Sequence, residues 1–241
     1  MIIIIKEDYE ALSEQASQLV EKQIRSNNKI VLGLATGNTP LGLYQNLVNQ
    51  YQTNDLDFSS VTTFNLDEYI GLDPEDSRSY NFFMQENLFS KINIFEKNVF
   101  IPYGLVHNTA THCEWYEKEI KKRGGIDFQI LGIGGNGHIG FNEPGTSFDS
   151  VTHVVELSKK TREDNAKFFD SIDEVPKQAI TMGLNTIMAS KEAILLASGE
   201  HKAEIIKKAL KGPVTEDVPA SILQEHTNLT VILDKPAASL L

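Results

Sequence analysis

The sequence predicts an α/β fold, a three-layer sandwich in which helices cover both faces of a mostly parallel central sheet. Short apolar runs rich in β-branched residues recur along the 241-residue chain, and helical patterns separate most of them. Strands that alternate with helices form parallel β-α units. No internal repeat and no Pro/Gly/Ser-rich linker divides the chain, so we expect residues 1–241 to form a single domain with a Rossmann-like sheet.

Nine short segments carry the strand pattern. Each is apolar or β-branched along its length, as buried strands are. They are residues 2–5, 30–35, 61–66, 99–101, 128–133, 152–157, 179–182, 193–197 and 229–233. The first of them is too short for the core of a signal peptide. No run approaches the roughly 20 apolar residues that cross a bilayer, so we expect no membrane partner.

Polar residues mark where the predicted helices begin. Asp8 precedes an amphipathic segment, Ser79 precedes residues 80–89, and Asn108 precedes a helix that runs through Lys122. Asp, Ser and Asn accept hydrogen bonds from the free N–H groups of a first helical turn. We therefore expect all three to be N-caps.

The charge balance limits the partners of the chain. Acidic residues outnumber basic ones by 33 to 22, giving a net charge of −11. This charge repels nucleic acid and anionic lipid headgroups, so a bound phosphate must be held by local donors. The only cysteine, Cys113, cannot form an internal disulfide, which favours a reducing cytoplasm.

Ligands of open α/β sheets bind beyond the carboxyl ends of the strands, so the residues after each strand are the first candidates. The sequence TGNTP (36–40) follows the second predicted strand and precedes the helical residues 41–50. Its glycine, its threonine hydroxyls and the following helix N-terminus predict a phosphate cradle. A plain strand-to-helix turn, with Thr39 as N-cap and Pro40 as the first helical residue, explains the same residues.

A carboxylate follows the third predicted strand. Asp67 and Glu68 come directly after residues 61–66, between Leu66 and Tyr69. Partial desolvation by these neighbours can raise the basicity of Asp67 toward that of a general base. The alternative is an acidic pair on the surface.

The sequence LGIGGNGHIGFNEPGTSF (131–148) contains the pattern G-x-G-x-x-G directly after a predicted strand. This pattern raises the possibility of a dinucleotide site. That fingerprint requires a helix to begin at its last glycine, whereas Gly140, Asn142, Pro144 and Gly145 would stop a helix within two turns. We therefore predict a tight loop in place of a dinucleotide-binding turn.

The glycine loop presents polar groups suited to proton transfer. Asn136, His138, Asn142 and Glu143 lie within eight residues of one another. A histidine with a carboxylate five residues away can form a dyad in which the carboxylate orients the ring. These residue types can also bind a metal, but a single histidine without an HxH, HxxxH or CxxC spacing predicts no metal site.

Two cations follow later strands. Arg162 comes after residues 152–157, and Lys202 comes after residues 193–197. Each alone is typical of an exposed surface charge. At neighbouring strand ends they would neutralise a phosphate together, the arginine as a fork and the lysine as a point charge.

Taken together, these segments resemble the glucosamine-6-phosphate deaminases over essentially the whole chain. The resemblance rests on seven segments in the order of that family. They are ATGNTPLGLY, FNLDEYIGL, SYNFFM, GIGGNGHIGFNEPGTSF, LSKKTREDNAKFF, QAITMGLNTIM and ASGEHKAEII. The resemblance implies conversion of glucosamine 6-phosphate and water to fructose 6-phosphate and ammonia, without a metal or organic cofactor.

The resemblance also implies roles for individual residues. Asp67 would move a proton during enolisation, His138 would open the sugar ring, and Glu143 would pair with His138. Part of the family has aspartate where this chain has Asn136, which can hydrogen-bond here but cannot act as a charged partner. The candidate substrate- and phosphate-binding residues are Thr36, Gly37, Asn38, Thr39, Gly135, Gly137, Arg162 and Lys202.

Two other functions remain as alternatives. A 6-phosphogluconolactonase has a similar fold and also binds a sugar phosphate, but the GxNGHxxFNEP and DEY sequences favour the deaminase. A sugar-phosphate sensor would need a DNA-binding module, and no segment of this acidic chain fits one. We also expect residues 147–189, which include Arg162, to move as a lid, whereas the sequence leaves monomer or homo-oligomer undecided.

Overall fold

The computed structural model describes residues 1–241. Its strands are β1 (Ile2–Lys6), β2 (Val31–Leu34), β3 (Thr62–Asn65), β4 (Asp67–Tyr69), β5 (Val99–Phe100), β6 (Phe128–Leu131), β7 (His153–Glu156), β8 (Gln178–Thr181), β9 (Glu192–Ala197) and β10 (Leu229–Asp234). Its α-helices are α1 (Tyr9–Ser26), α2 (Leu41–Thr53), α3 (Tyr80–Asn87), α4 (Thr109–Lys122), α5 (Lys159–Asn165), α6 (Leu184–Met188) and α7 (Ala203–Lys211). Short 3-10 helices occupy Phe89–Lys91, Glu96–Asn98, Ala166–Phe168, Ile172–Glu174, Glu200–Lys202 and Pro219–Glu225.

Seven strands form the central sheet in the order β1-β10-β9-β6-β2-β3-β5. Every neighbouring pair in this sheet is parallel. The predicted α/β sandwich with a mostly parallel sheet is therefore confirmed. Since the strands run in one direction, their carboxyl ends all lie along one edge of the sheet.

Helices cover both faces of this sheet, as predicted. Along β9, Ile194 and Leu196 face the cluster formed with α1, α2 and α3, whereas Leu195 and Ala197 face the cluster formed with α4, α6 and α7. Successive side chains of a strand point to opposite faces, so a strand buried on both sides must be apolar throughout. This explains the uninterrupted apolar runs in the sequence.

Three segments form a separate small sheet in the order β4-β8-β7, with antiparallel pairing. The third predicted strand, residues 61–66, therefore ends earlier than expected, and Asp67–Tyr69 turns away to pair with β8. The predicted strands 152–157 and 179–182 belong to this small sheet as well. A strand pattern does not reveal the partner of a strand, because pairing depends on distant parts of the chain.

The predicted caps are confirmed. The side chains of Asp8, Ser79 and Asn108 accept hydrogen bonds from backbone N–H groups in the first turns of α1, α3 and α4. The start of α2 differs, because Pro40 occupies the cap position and no side chain caps this helix. The alternative interpretation, with Thr39 as N-cap and Pro40 as the first helical residue, is therefore wrong by one residue.

The segment expected to move as a lid, residues 147–189, is not structurally uniform. Ala179 and Ile180 of β8 and Leu184 and Ile187 of α6 are fully buried. In α5 and the two 3-10 turns that follow it, all residues except Thr161 are exposed or half-buried. No helix of the protein combines the length and the apolar character needed to cross a bilayer.

Candidate active site

A cavity of about 250 Å³ opens at the carboxyl edge of the central sheet. The loops that follow β2, β3, β6 and β9 all contribute to its walls. Among the residues predicted from the sequence, those that line it are Thr36, Gly37, Asn38, Thr39, Asp67, Gly135, His138 and Lys202. One cavity thus brings together the candidate base, the candidate histidine and the candidate phosphate loop.

Asp67 contributes a buried carboxylate to this cavity. Burial raises the pKa of Asp67 to about 8, and the negative charge of Glu68 makes a smaller contribution to this rise. The backbone of Gly140, with φ +57, passes close by, since a Cβ atom at this position would lie 3.5 Å from Oδ2 of Asp67 and 2.9 Å from Oγ1 of Thr181. The carboxylate is therefore largely shielded from solvent, and its raised proton affinity suits a general base.

Glu68 is buried behind Asp67 and does not line the cavity. Its Oε1 atom accepts hydrogen bonds from the N–H groups of Tyr69 and Tyr80, at 2.8 and 3.0 Å, and its Oε2 atom accepts one from Asn81 at 2.8 Å. Burial raises the pKa of Glu68 to about 7, and these three N–H groups oppose the rise. Glu68 therefore fixes the start of α3, whose first residue, Tyr80, lines the cavity.

The ring of His138 packs directly against the backbone of Gly134. A Cβ atom at Gly134 would lie 2.2 Å from Cε1 and Nε2 of this ring, so only glycine fits there. The N–H group of Gly134 also donates to the carbonyl of His138 at 2.9 Å. Burial lowers the pKa of His138 below its usual value, while the nearby Glu143 carboxylate acts in the opposite direction. The imidazole is therefore neutral near pH 7 and can accept a proton.

Asn136 and Glu143 lie behind His138 and outside the cavity lining. The Asn136 amide donates to Oε2 of Glu143 at 2.6 Å, and the N–H group of Ser158 donates to Oε1 at 3.2 Å. The same Oε2 atom lies 3.9 Å from Nδ1 of His138, beyond hydrogen-bond distance. The structure therefore brings the predicted dyad together without a direct bond, and Nδ1 has no partner.

Lys202 and the loop after β2 also line the cavity. Gly37 has φ +95, and a Cβ atom there would meet open space. Lys202 donates from Nζ to the carbonyl of Ile133 at 2.8 Å. Burial lowers the pKa of Lys202, and Asp164 opposes this change. Lys202 thus places a positive charge beside the loop in an otherwise acidic protein, as an anion site requires.

Two predicted binding residues lie away from the cavity lining. Arg162 donates from Nη2 to the carbonyl of Ile172 at 2.8 Å, and its Nε atom is buried without a partner. Arg162 and Lys202 were expected at neighbouring strand ends, but β7 belongs to the small sheet and β9 to the central one. Gly137, with φ +92, packs against Val218 and donates no group to the cavity lining.

Sequence reasoning missed several cavity-lining residues. They are Tyr80, Phe141, Thr161, Asp164, Asn165, Lys167, Phe168 and His201. Thr161, Asp164, Asn165 and Phe168 follow one another at spacings of three, one and three residues, which places them on one helical face. That spacing was visible in the sequence. The sequence did not reveal that this helical face borders the cavity.

One family model matches nearly the whole chain. The family model described as "Glucosamine-6-phosphate isomerases/6-phosphogluconolactonase" matches residues 6–232. The chain belongs to this family. The resemblance predicted from the seven sequence segments is therefore confirmed.

Relatives share about half of the sequence. A protein named glucosamine-6-phosphate deaminase from Thermoanaerobacter pseudethanolicus is 54% identical over 241 residues, which cover 100% of this chain and 95% of that protein. A protein of the same name from Clostridium perfringens is 48% identical, with both chains covered completely. The match therefore covers 95–100% of the length of these relatives.

Solved structures of this family agree with the fold. A structure described as a monomeric glucosamine-6-phosphate deaminase has a TM-score of 0.98 and 48% identity, with 100% of both chains covered. The 6-phosphogluconolactonase from Trypanosoma brucei has a TM-score of 0.82 and 20% identity, with 100% of this chain and 98% of that chain covered. The second likeness shows the fold alone.

Proposed function

We propose that this chain converts glucosamine 6-phosphate and water to fructose 6-phosphate and ammonia. The observation that carries the proposal is that Asp67 and His138 open into one cavity with the loop at residues 36–39. A base, a proton shuttle and an anion site are the three groups that the reaction needs. The names of relatives at 48–54% identity support the same activity.

His138 acts first, by opening the pyranose ring. Ring opening removes the proton of the anomeric hydroxyl and delivers a proton to the ring oxygen. A neutral imidazole performs both transfers, and positioned acid–base groups contribute roughly 10²–10⁴-fold to such steps. Glu143 and Asn136 are hydrogen-bonded to each other behind the ring, and the negative charge of Glu143 raises the proton affinity of His138.

Asp67 then moves the proton that makes the reaction an isomerisation. The open aldehyde acidifies the hydrogen on carbon 2, which the carboxylate removes and returns to carbon 1. This transfer gives an enolamine and then a ketimine. Water attacks the ketimine carbon and ammonia leaves, so the overall reaction involves no change of oxidation state.

The phosphate of the substrate binds far from the reacting carbons. Thr36, Gly37, Asn38 and Thr39 supply hydroxyl and N–H donors, and Lys202 supplies a positive charge. Binding energy from a remote group orients the reacting atoms. We keep Arg162 as a further phosphate ligand, which requires its guanidinium to leave the carbonyl of Ile172.

A two-substrate assay tests the proposal. Purified protein is given glucosamine 6-phosphate with detection of ammonia, and 6-phosphogluconolactone with detection of acid release. We expect ammonia from the first and no acid above the spontaneous rate from the second. Lactone hydrolysis without ammonia release would replace this function by the lactonase activity that the family description also names.

We also propose that residues 1–241 act as a single catalytic domain in the cytoplasm. The unpaired, buried thiol of Cys113 supports the location.

We further propose that α5 with its following turns closes over the bound sugar. Four residues of this segment, Thr161, Asp164, Asn165 and Phe168, line the cavity and support the closure. Limited proteolysis with and without substrate tests it, because a closing segment becomes protected.

A further inference from the structure

Tyr9 touches the phosphate loop from outside the cavity. It is the first residue of α1, lies in none of the seven family-like segments and does not line the cavity. Its hydroxyl nevertheless lies 2.9 Å from the carbonyl of Asn38 and 3.2 Å from that of Thr39. The same oxygen accepts a hydrogen bond from the N–H group of Gly42 at 2.8 Å. One hydroxyl therefore connects both ends of the turn that leads into α2.

The start of α2 lacks its own cap. Pro40 occupies the cap position, and no side chain of this turn accepts a bond from the first N–H groups of the helix. The Leu41 N–H group reaches the carbonyl of Asn38 only at 3.4 Å. The free donors at a helix start need partners. The hydroxyl of Tyr9 fills this role for Gly42 from a different helix.

Close approach of two helices makes this contact possible. A Cβ atom at Gly42 would lie 2.4 Å from Oγ of Ser13 and 3.2 Å from Cε1 of Tyr9. No residue larger than glycine fits there unless α1 moves outward. Gly42 therefore sets the distance at which the Tyr9 hydroxyl reaches the turn.

We propose that Tyr9 is a positioning residue for phosphate binding, because it holds Asn38 and Gly42 and thereby orders the loop at residues 36–39 before the substrate arrives. The proposal rests on the proposed function. Ordering a loop costs conformational entropy, about 1–2 kcal/mol for each residue fixed. A loop that is ordered in the free protein avoids this cost on binding and therefore binds its anion more tightly.

Tyr9→Phe tests the proposal, because it removes the hydroxyl and keeps the ring. We expect the dissociation constant of inorganic phosphate and the KM for glucosamine 6-phosphate to rise about 3- to 10-fold, the range expected for loss of one or two neutral hydrogen bonds. We expect kcat to stay within about twofold, since the reacting carbons lie away from the phosphate. Tyr103→Phe, at an exposed tyrosine, is the matched control.

Gly42→Ala provides a second route to the same contact. The added methyl group pushes α1 away and should raise the phosphate dissociation constant as Tyr9→Phe does, although it also lowers the melting temperature. Unchanged phosphate affinity and KM in Tyr9→Phe would overturn the proposal, whatever the melting temperature does. Failure of the proposed function is distinguishable, because a wild-type protein that releases no ammonia can still be titrated with inorganic phosphate.

Discussion

Nδ1 of His138 lies 3.9 Å from Oε2 of Glu143, and that oxygen already accepts the Asn136 amide at 2.6 Å. The Glu143 carboxylate therefore accepts a hydrogen bond from Asn136 and none from the His138 ring. Catalytic hydrogen bonds in unliganded sites are often long and shorten only when the substrate is bound. A charge at residue 136 should therefore act on the proton affinity of His138.

Asn136→Asp should move the acid limb of the pH profile to higher pH. A second carboxylate beside Glu143 favours protonated His138 and so raises its pKa, and a protonated ring cannot accept the anomeric proton. The measurement is kcat/KM for the cyclic substrate between pH 5 and 9. Asn49→Asp, at an exposed site on α2 outside the cavity lining, is the control. An acid limb at the wild-type position would show that residue 136 has no electrostatic effect on the histidine.

His138→Gln should slow turnover of cyclic glucosamine 6-phosphate by about 10²–10⁴-fold, the usual contribution of a positioned acid–base group. Turnover of an acyclic analogue should fall much less, because that substrate needs no ring opening. Parallel steady-state kinetics on the two substrates give the comparison. Equal losses on both would remove His138 from the ring-opening step.

Asp67→Asn should abolish exchange of the carbon-2 hydrogen with solvent, measured by deuterium incorporation, while the phosphate dissociation constant stays near the wild-type value. It should also stabilise the fold. The folded pKa of about 8 lies far above the usual value for aspartate, so ionising this buried group costs stability as pH rises toward and through 8. The melting temperature should therefore increase more at pH 9 than at pH 5. A variant that still exchanges the hydrogen would need a different base.

Glu68→Gln should move the acid limb of carbon-2 exchange to lower pH. The charge of Glu68 helps to raise the pKa of Asp67, so removing that charge lets the base ionise more readily. The charged and titratable groups around Asp67 are Glu68, Tyr44, Tyr69, Tyr80 and Tyr116. Glu86→Gln, at an exposed site on α3, is the control. An unchanged limb with a lower melting temperature would restrict Glu68 to capping α3.

Lys202→Gln should raise KM for the sugar phosphate at least tenfold, because the variant removes a half-buried cation that lines the cavity. Arg162→Gln should raise KM as well if the guanidinium reaches the phosphate after closure, and should leave the affinity for inorganic phosphate in the open protein unchanged. The two measurements on both variants separate the roles. Wild-type KM in Arg162→Gln would remove Arg162 from the set of phosphate ligands.

Local patterns predicted much of this fold. The caps at Asp8, Ser79 and Asn108 were predictable because a cap is made within four residues of chain. The small sheet was not predictable, since its pairing joins Asp67 with Thr181 across more than one hundred residues. Apolar periodicity identifies a strand but does not determine which strands pair with it.

The candidate site shows the same division. Strand ends predicted that the loop at residues 36–39, Asp67 and His138 would meet, because parallel strands end at one edge. The orientation of Arg162 toward Ile172 was not predictable, because the sequence of a helix does not determine which part of the protein each of its faces contacts. The hydroxyl of Tyr9 was also missed, since its contact with Gly42 joins two helices.

The hydrogen bond from Ser158 to Glu143 has a consequence for engineering. Ser158 is the cap of α5, and α5 borders the entrance of the cavity. A redesign that widens this entrance for bulkier sugars displaces the residue that anchors the carboxylate behind the imidazole. The shape of this cavity wall and the proton affinity of His138 are thus linked through the backbone N–H group of Ser158, which holds one oxygen of the Glu143 carboxylate.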